Sequence, residues 1–211
     1  MSGPPKRKAS SQRWLRRQEK DPYVRRARKD RARSRAAYKL EELDEQFRLL
    51  RPGDTVVDLG AAPGGWSQVA AARVGARGAV IAVDRAPIAP IAGVTVLVAD
   101  METPEALDAL CAAVGDGADV VLSDMSPATT GHRATDSLRA AALAELALAA
   151  AVAVLRRGGH LVVKVTRGGA EAELLAVLRR MFASVRHAKP PASRKDSAEL
   201  YLVAKGFRPP E

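Results

Sequence analysis

The run Leu161-Val162-Val163-Lys164-Val165 sets a lysine inside an otherwise apolar strand, near its carboxyl end. An ammonium is rarely tolerated there without a partner. A carboxylate is available in Ser123-Asp124-Met125-Ser126-Pro127, which closes a neighbouring strand-like run. A desolvated lysine held beside a carboxylate in a cleft is equipped for proton transfer. Lys39 is a candidate second cation and Glu199 a candidate second carboxylate. The plainer alternatives are a snorkelling edge-strand lysine for Lys164, a loop cap for Asp124, a helix-surface lysine for Lys39 and a strand-edge charge for Glu199.

A second chemical feature is the turn Asp58-Leu59-Gly60-Ala61-Ala62-Pro63-Gly64-Gly65-Trp66. Its glycines tolerate positive φ and let backbone approach a ligand closely. A helix starting near Gly65 would aim its first amides at whatever is bound. A dinucleotide site wants bare amides in the spacing G-x-G-x-x-G. Here Ala62 stands at the second glycine position, and Pro63 after it has no amide to donate. Asp84 and Asp100 close the next two strands, and ligands of open α/β sheets bind beyond such ends. Asp84 suits the two hydroxyls of a ribose, and Asp100 suits an adenine amino group. Together these residues favour S-adenosylmethionine over a nicotinamide or flavin cofactor or a purely structural turn. Trp66 reads either as a helix-face core aromatic or as a residue that shapes the cofactor site.

The residues after the fourth strand bear on the acceptor. Methylases of exocyclic base nitrogens commonly carry there an Asn or Asp, prolines and an aromatic that clamps a flipped base. No aromatic occurs in Ser123-Asp124-Met125-Ser126-Pro127. The expected acceptor is therefore something other than a stacked base, such as a ribose hydroxyl.

Positioning these residues requires a regular scaffold. Short, nearly all-apolar runs at 55–59, 79–83, 94–98, 119–122 and 160–165 alternate with helical patterns at 65–74, 104–114, 134–155 and 170–182. That alternation predicts a doubly wound, mostly parallel α/β sheet buried on both faces. Residues 184–189 and 200–204 are strand-like with no helix between them, so they should form an antiparallel terminal pair. A helix should follow Ser34, with Ala37, Leu40, Leu43 and Phe47 on one face, and end before Arg51-Pro52-Gly53. The apolar stretch 140–155 carries Glu145 and reads as an Ala-rich amphipathic helix rather than a membrane span.

Charge is concentrated at one end. Residues 1–35 hold 14 Lys+Arg and 3 acids, whereas the rest holds 20 and 21. Trp14 and Tyr23 interleave with Arg13, Arg16, Arg17, Arg25, Arg26 and Arg28. Cations for phosphates and aromatic faces for unstacked bases suit RNA, although a solvated tail would also be basic. The chain divides into a basic, partly disordered RNA-binding arm over 1–35 and a catalytic domain over 36–211. The single cysteine, Cys111, reads as a small helix-core residue. The scattered His132, His160 and His187 have no metal-ligand spacing, so no metal is expected. With no apolar segment near the N-terminus, a cytoplasmic protein without a membrane partner is expected.

The stretches Arg33-Ser34-Arg35-Ala36-Ala37-Tyr38-Lys39-Leu40, 58–68, Ser123-Asp124-Met125-Ser126-Pro127, Val162-Val163-Lys164-Val165 and 193–206 resemble the FtsJ/RrmJ family, the ribosomal RNA large subunit methyltransferases E. The resemblance runs from about Trp14 to Gly206. It implies a seven-stranded Rossmann-like class I methyltransferase that methylates a uridine 2′-hydroxyl in large-subunit (23S) ribosomal RNA; a monomer is expected. It implies a catalytic tetrad of Lys39, Asp124, Lys164 and Glu199, with Lys164 as proton acceptor. It also implies S-adenosylmethionine contacts at Gly64, Trp66, Asp84, Asp100 and Asp124. Ser126 departs from the alanine usual in bacterial relatives, and 128–130 and Thr166-Arg167 also differ; all flank the acceptor side. The competing functions are a non-catalytic RNA-binding or ribosome-assembly factor and a 2′-O-methyltransferase of transfer RNA.

Overall fold

In a computed structural model, which describes residues 21–167, 171–194 and 196–209, the apolar runs become one seven-stranded sheet. Its strands are β1 (Thr55–Leu59), β2 (Ala79–Asp84), β3 (Val94–Val98), β4 (Ala118–Ser123), β5 (Leu155–Thr166), β6 (Phe182–Ala188) and β7 (Glu199–Phe207), in the order β3-β2-β1-β4-β5-β7-β6. The first five run parallel, and β7 pairs antiparallel with both β5 and β6. The expected doubly wound sheet with an antiparallel terminal pair is what forms. The terminal pair is not appended in sequence order, because β7 inserts between β5 and β6. Lys164 therefore lies on an interior strand, flanked by β4 and β7, and is not an edge lysine.

Successive side chains of a strand point to opposite faces, and here both faces are covered. Val57, Leu59, Val121, Leu161 and Val163 enter one core layer, beneath α4 (Pro104–Val114), α5 (Arg133–Val154) and α6 (Glu171–Met181). Val56, Val120, Leu122, Val162 and Tyr201 enter the other, beneath α2 (Ala37–Phe47) and α3 (Gly65–Val74). Each fully buried Val or Leu contributes roughly 1.5–3 kcal/mol, which explains why these runs contain almost no polar residue. By length and composition α5 could cross a membrane. In the fold it packs Ala144, Ala147, Ala150, Ala151 and Val154 into the core. Cys111 departs from expectation: it is exposed, because α4 turns Ala106 and Leu110 inward and leaves position 111 off that face.

The arm is the less expected part. Residues 1–20, with Trp14 and its neighbouring arginines, lie outside the described residues. Beyond them runs a helix, α1 (Pro22–Asp30), started by the Asp21 carboxylate accepting from Tyr23 N and by Pro22 in the first turn. It is fastened to α2: the Tyr38 hydroxyl donates to Asp30 Oδ2 at 2.8 Å, and the Tyr23 hydroxyl to Glu42 Oε1 at 3.1 Å. Asp21 also pairs with Arg35 at 2.7 Å. Exposed Arg25, Arg28, Lys29 and Arg31 remain on or next to α1.

Candidate active site

The sheet order reverses about β1, which pairs with β2 on one side and β4 on the other. The carboxyl ends of these strands are where an open α/β sheet binds ligands. Several cavities lie there among the described residues, and two of them share a wall. The smaller, about 270 Å³, is lined by Gly60, Ala62, Asp84, Asp100, Asp124 and Met125, among others. The larger, about 910 Å³, is lined by Met125, Ser126, Arg133, Lys164, Arg167 and Glu199, among others. Met125 and Ser126 belong to both, so the loop after β4 is the shared wall. Asp124 faces the smaller space and Lys164 the larger.

Around that wall the four expected polar residues come together. Lys164 Nζ lies 3.1 Å from Asp124 Oδ1 and donates to the Asp124 carbonyl at 2.7 Å. Lys39 Nζ, reaching over from α2, is 3.6 Å from Asp124 Oδ2, and Glu199 Oε1 is 3.7 Å from Lys164 Nζ. The Ser126 hydroxyl also accepts from Lys164. Two ammoniums thus share one half-buried carboxylate, with a second, more exposed carboxylate beyond. Burial alone would push the Asp124 carboxyl up, but Lys164, Lys39 and the Tyr201 hydroxyl hold it below the usual carboxylate range.

Tyr201, which is not among the residues expected of the site, completes the cluster. Its hydroxyl donates to Asp124 Oδ1 at 2.6 Å and accepts from Lys39 Nζ at 3.1 Å. Burial and the Asp124 charge push its phenol well above the ordinary value. Strand periodicity could have found it, because Glu199 and Tyr201 are two apart on β7 and share a face. The antiparallel register sets Tyr201 opposite Lys164 and Glu199 opposite Thr166.

On the smaller cavity, Asp84 is held by backbone. Its Oδ2 accepts from Ala62 N at 2.9 Å and its Oδ1 from Ala86 N at 2.8 Å. Asp100 lies across the cavity, 3.8 Å from the Arg85 guanidinium. The turn is as tight as its glycines suggest: a Cβ on Gly60, at φ 73°, would come 2.7 Å from Met125 Cγ. Gly64 and Trp66 do not line this cavity. Gly64, at φ 100°, forms the N-terminal cap of α3 and packs by Ile88, Ile91 and Arg33. Trp66 is buried, donates from Nε1 to the Ala36 carbonyl at 2.7 Å and packs at a tilt of 39° against Tyr201, with ring centres 5.6 Å apart.

Residues 32–207 match the model of the FtsJ-like methyltransferases. The chain belongs to the FtsJ-like methyltransferase family. A ribosomal RNA large subunit methyltransferase E from Bradyrhizobium sp. (strain BTAi1) is 55% identical over 206 residues, covering 96% of this chain and 89% of that protein. A protein of the same name from Acidiphilium cryptum is 56% identical over 204 residues, covering 97% and 90%. Among solved structures, a ribosomal RNA methyltransferase from Plasmodium falciparum superposes with a TM-score of 0.74 at 29% identity, over 83% of this chain and 98% of that one. A fibrillarin/Nop5p complex chain shares the fold alone, with a TM-score of 0.56 at 20% identity over 80% and 81%. The chain is thus a methyltransferase with two adjoining cavities. Its expected tetrad residues gather at their common wall.

Proposed function

We propose that the protein methylates the 2′-hydroxyl of a uridine ribose in large-subunit ribosomal RNA, with S-adenosylmethionine as methyl donor. The observation that carries this reading is the shared wall: a carboxylate-lined cavity and a larger one, which holds Arg133, Lys164 and Arg167 beside Asp136 and Glu199, meet at Met125-Ser126, with Asp124 on the first side and Lys164 on the second. The names of the relatives, matched over nearly the whole chain, support ribosomal RNA of the large subunit as substrate.

The smaller cavity suits the donor. Asp84 carries oxygens for the ribose hydroxyls and Asp100 for the adenine amino group, while Gly60 admits close backbone approach. In this proposal Gly64 and Trp66 act by shaping the turn and its helix. S-adenosylmethionine supplies a methyl already activated as a sulfonium, so the protein's task is mainly alignment.

The acceptor ribose occupies the larger cavity. Its 2′-oxygen forms a bond to the methyl carbon as the carbon–sulfur bond breaks, leaving S-adenosylhomocysteine. Lys164 Nζ first releases a proton to solvent and then, as the amine, takes the hydroxyl proton. The resulting ammonium has its acceptors in place in Asp124 and Glu199. Lys39 and Tyr201 hold the Asp124 carboxylate from the other side. The basic arm, 1–35, would supply the phosphate contacts that bring structured RNA to this mouth. Methyl transfer from labelled S-adenosylmethionine to large ribosomal subunits, followed by nucleoside analysis, tests the proposal. A 2′-O-methyluridine product supports it, and a base-methylated or unmodified RNA refutes it.

A further inference from the structure

The segment joining α1 to α2 does not swing free of the donor cavity. Arg33 spreads its guanidinium over two separate loops, donating from Nη1 to the Ala89 carbonyl at 2.7 Å and from Nη2 to the Pro90 carbonyl at 2.6 Å. Nη1 also reaches the Pro63 carbonyl at 3.4 Å. These are the loop after β1 and the loop after β2. Each also gives one amide to Asp84: Ala62 N from the first and Ala86 N from the second. The clamp on one side and the donor-facing carboxylate on the other are therefore joined through the same two loops.

The clamp is continuous with the arm. Arg33 N donates to Gln68 Oε1 at 3.1 Å, and Gln68 Nε2 donates to the Arg31 carbonyl at 3.2 Å. Ser34 lies so close to the turn that a Cβ on Gly65 would collide with its Oγ. Only two residues separate Asp30, the last of α1, from Arg33, and α1 exposes Arg25, Arg28 and Lys29. We infer that Arg33 is a positioning residue that sets Asp84 through these loops, so that RNA held by the arm tightens binding of the methyl donor. This rests on the donor assignment made above. Coupling of this kind is reciprocal, so the donor must tighten RNA binding by the same factor.

The test measures S-adenosylmethionine affinity by calorimetry on the full chain, with and without a saturating large-subunit RNA fragment. Wild-type protein should bind the donor about fivefold or more tightly with RNA present. Arg33→Ala should weaken donor binding without RNA by about tenfold while kcat at saturating donor stays within about threefold, the pattern of lost uniform binding. Arg33→Lys should not restore affinity, because a single ammonium cannot span carbonyls that a planar fork reaches together. Gln68→Ala leaves the guanidinium contacts and removes the hydrogen bonds that tie the Arg31–Arg33 segment to α3. It should keep the RNA-free affinity and lose the enhancement. An Arg33→Ala protein that binds the donor as tightly as wild type overturns this inference alone, as does wild-type affinity indifferent to RNA. Wild-type protein that binds no S-adenosylmethionine overturns the donor assignment and this inference with it.

Discussion

Lys164 and Tyr201 stand opposite one another in the β5–β7 pairing and converge on a single atom, Asp124 Oδ1, at 3.1 Å and 2.6 Å. The ammonium and the phenol hold the carboxylate in one orientation, and Lys39 closes the set through the phenol oxygen. Register between two strands thus brings Tyr201 onto a carboxylate 77 residues away in sequence. Removing different members should therefore give different losses.

Lys164→Ala removes the proposed proton acceptor but leaves the smaller cavity untouched, since Lys164 does not line it. Activity should fall by roughly 10²–10⁴-fold, with S-adenosylmethionine affinity by calorimetry within about threefold. Wild-type turnover in this variant would remove Lys164 from the chemistry.

Tyr201→Phe keeps the ring packed against Trp66 and deletes only the hydroxyl. It should reduce kcat by about tenfold, equivalent to about 1.4 kcal/mol of misalignment. It should also destabilise the fold by about 1.5–3 kcal/mol, the range for a hydrogen bond to a charged group. Steady-state kinetics and denaturant unfolding check both. Unchanged kcat would make Tyr201 a packing residue only.

Asp58 gives a pH test of stability. It is buried at the end of β1, accepts from Ser67 Oγ at 2.6 Å, and burial pushes its carboxyl up to about 7. A raised carboxyl means that the folded state binds the proton more tightly than the unfolded chain. Its stabilising effect is present below about pH 4 and is lost as pH rises through about 7. Asp58→Asn should be progressively stabilised relative to wild type, by on the order of 2–4 kcal/mol between pH 4 and pH 8. Denaturant melts across that range measure the difference, and a pH-independent difference would contradict it.

Residues 1–20 carry seven Lys+Arg and one acid, and their removal spares Arg33 and its contacts. RNA affinity should drop, and the slope of log affinity against log salt should flatten by about 2–5, at 0.7–0.9 per lost phosphate contact. A filter-binding titration at several salt concentrations reads this directly. An unchanged slope would make the segment a solvated tail.

Much of the scaffold is legible in the sequence because it rests on local pattern. The helices at 65–74 and 104–114 and the strand at 55–59 form with the bounds their apolar periodicity and glycine boundaries dictate. Lys164 stands out because a charge in a fully apolar run has few innocent explanations. The rest depends on tertiary contacts. Tyr201 looks like an ordinary β-propensity residue until register sets it opposite Lys164. Helix α1 is hidden by its arginines, although Asp21-Pro22 is a readable helix start. Nothing local to Arg33 announces that its guanidinium bridges loops 30 and 57 residues away.

The most direct test of the central claim is to incubate purified protein with labelled S-adenosylmethionine and large ribosomal subunits from cells lacking this gene. The RNA is then digested and the labelled nucleoside identified. The account predicts 2′-O-methyluridine at a defined position, abolished by Lys164→Ala. Label on a base, or label that persists undiminished in the Lys164→Ala reaction, would contradict it.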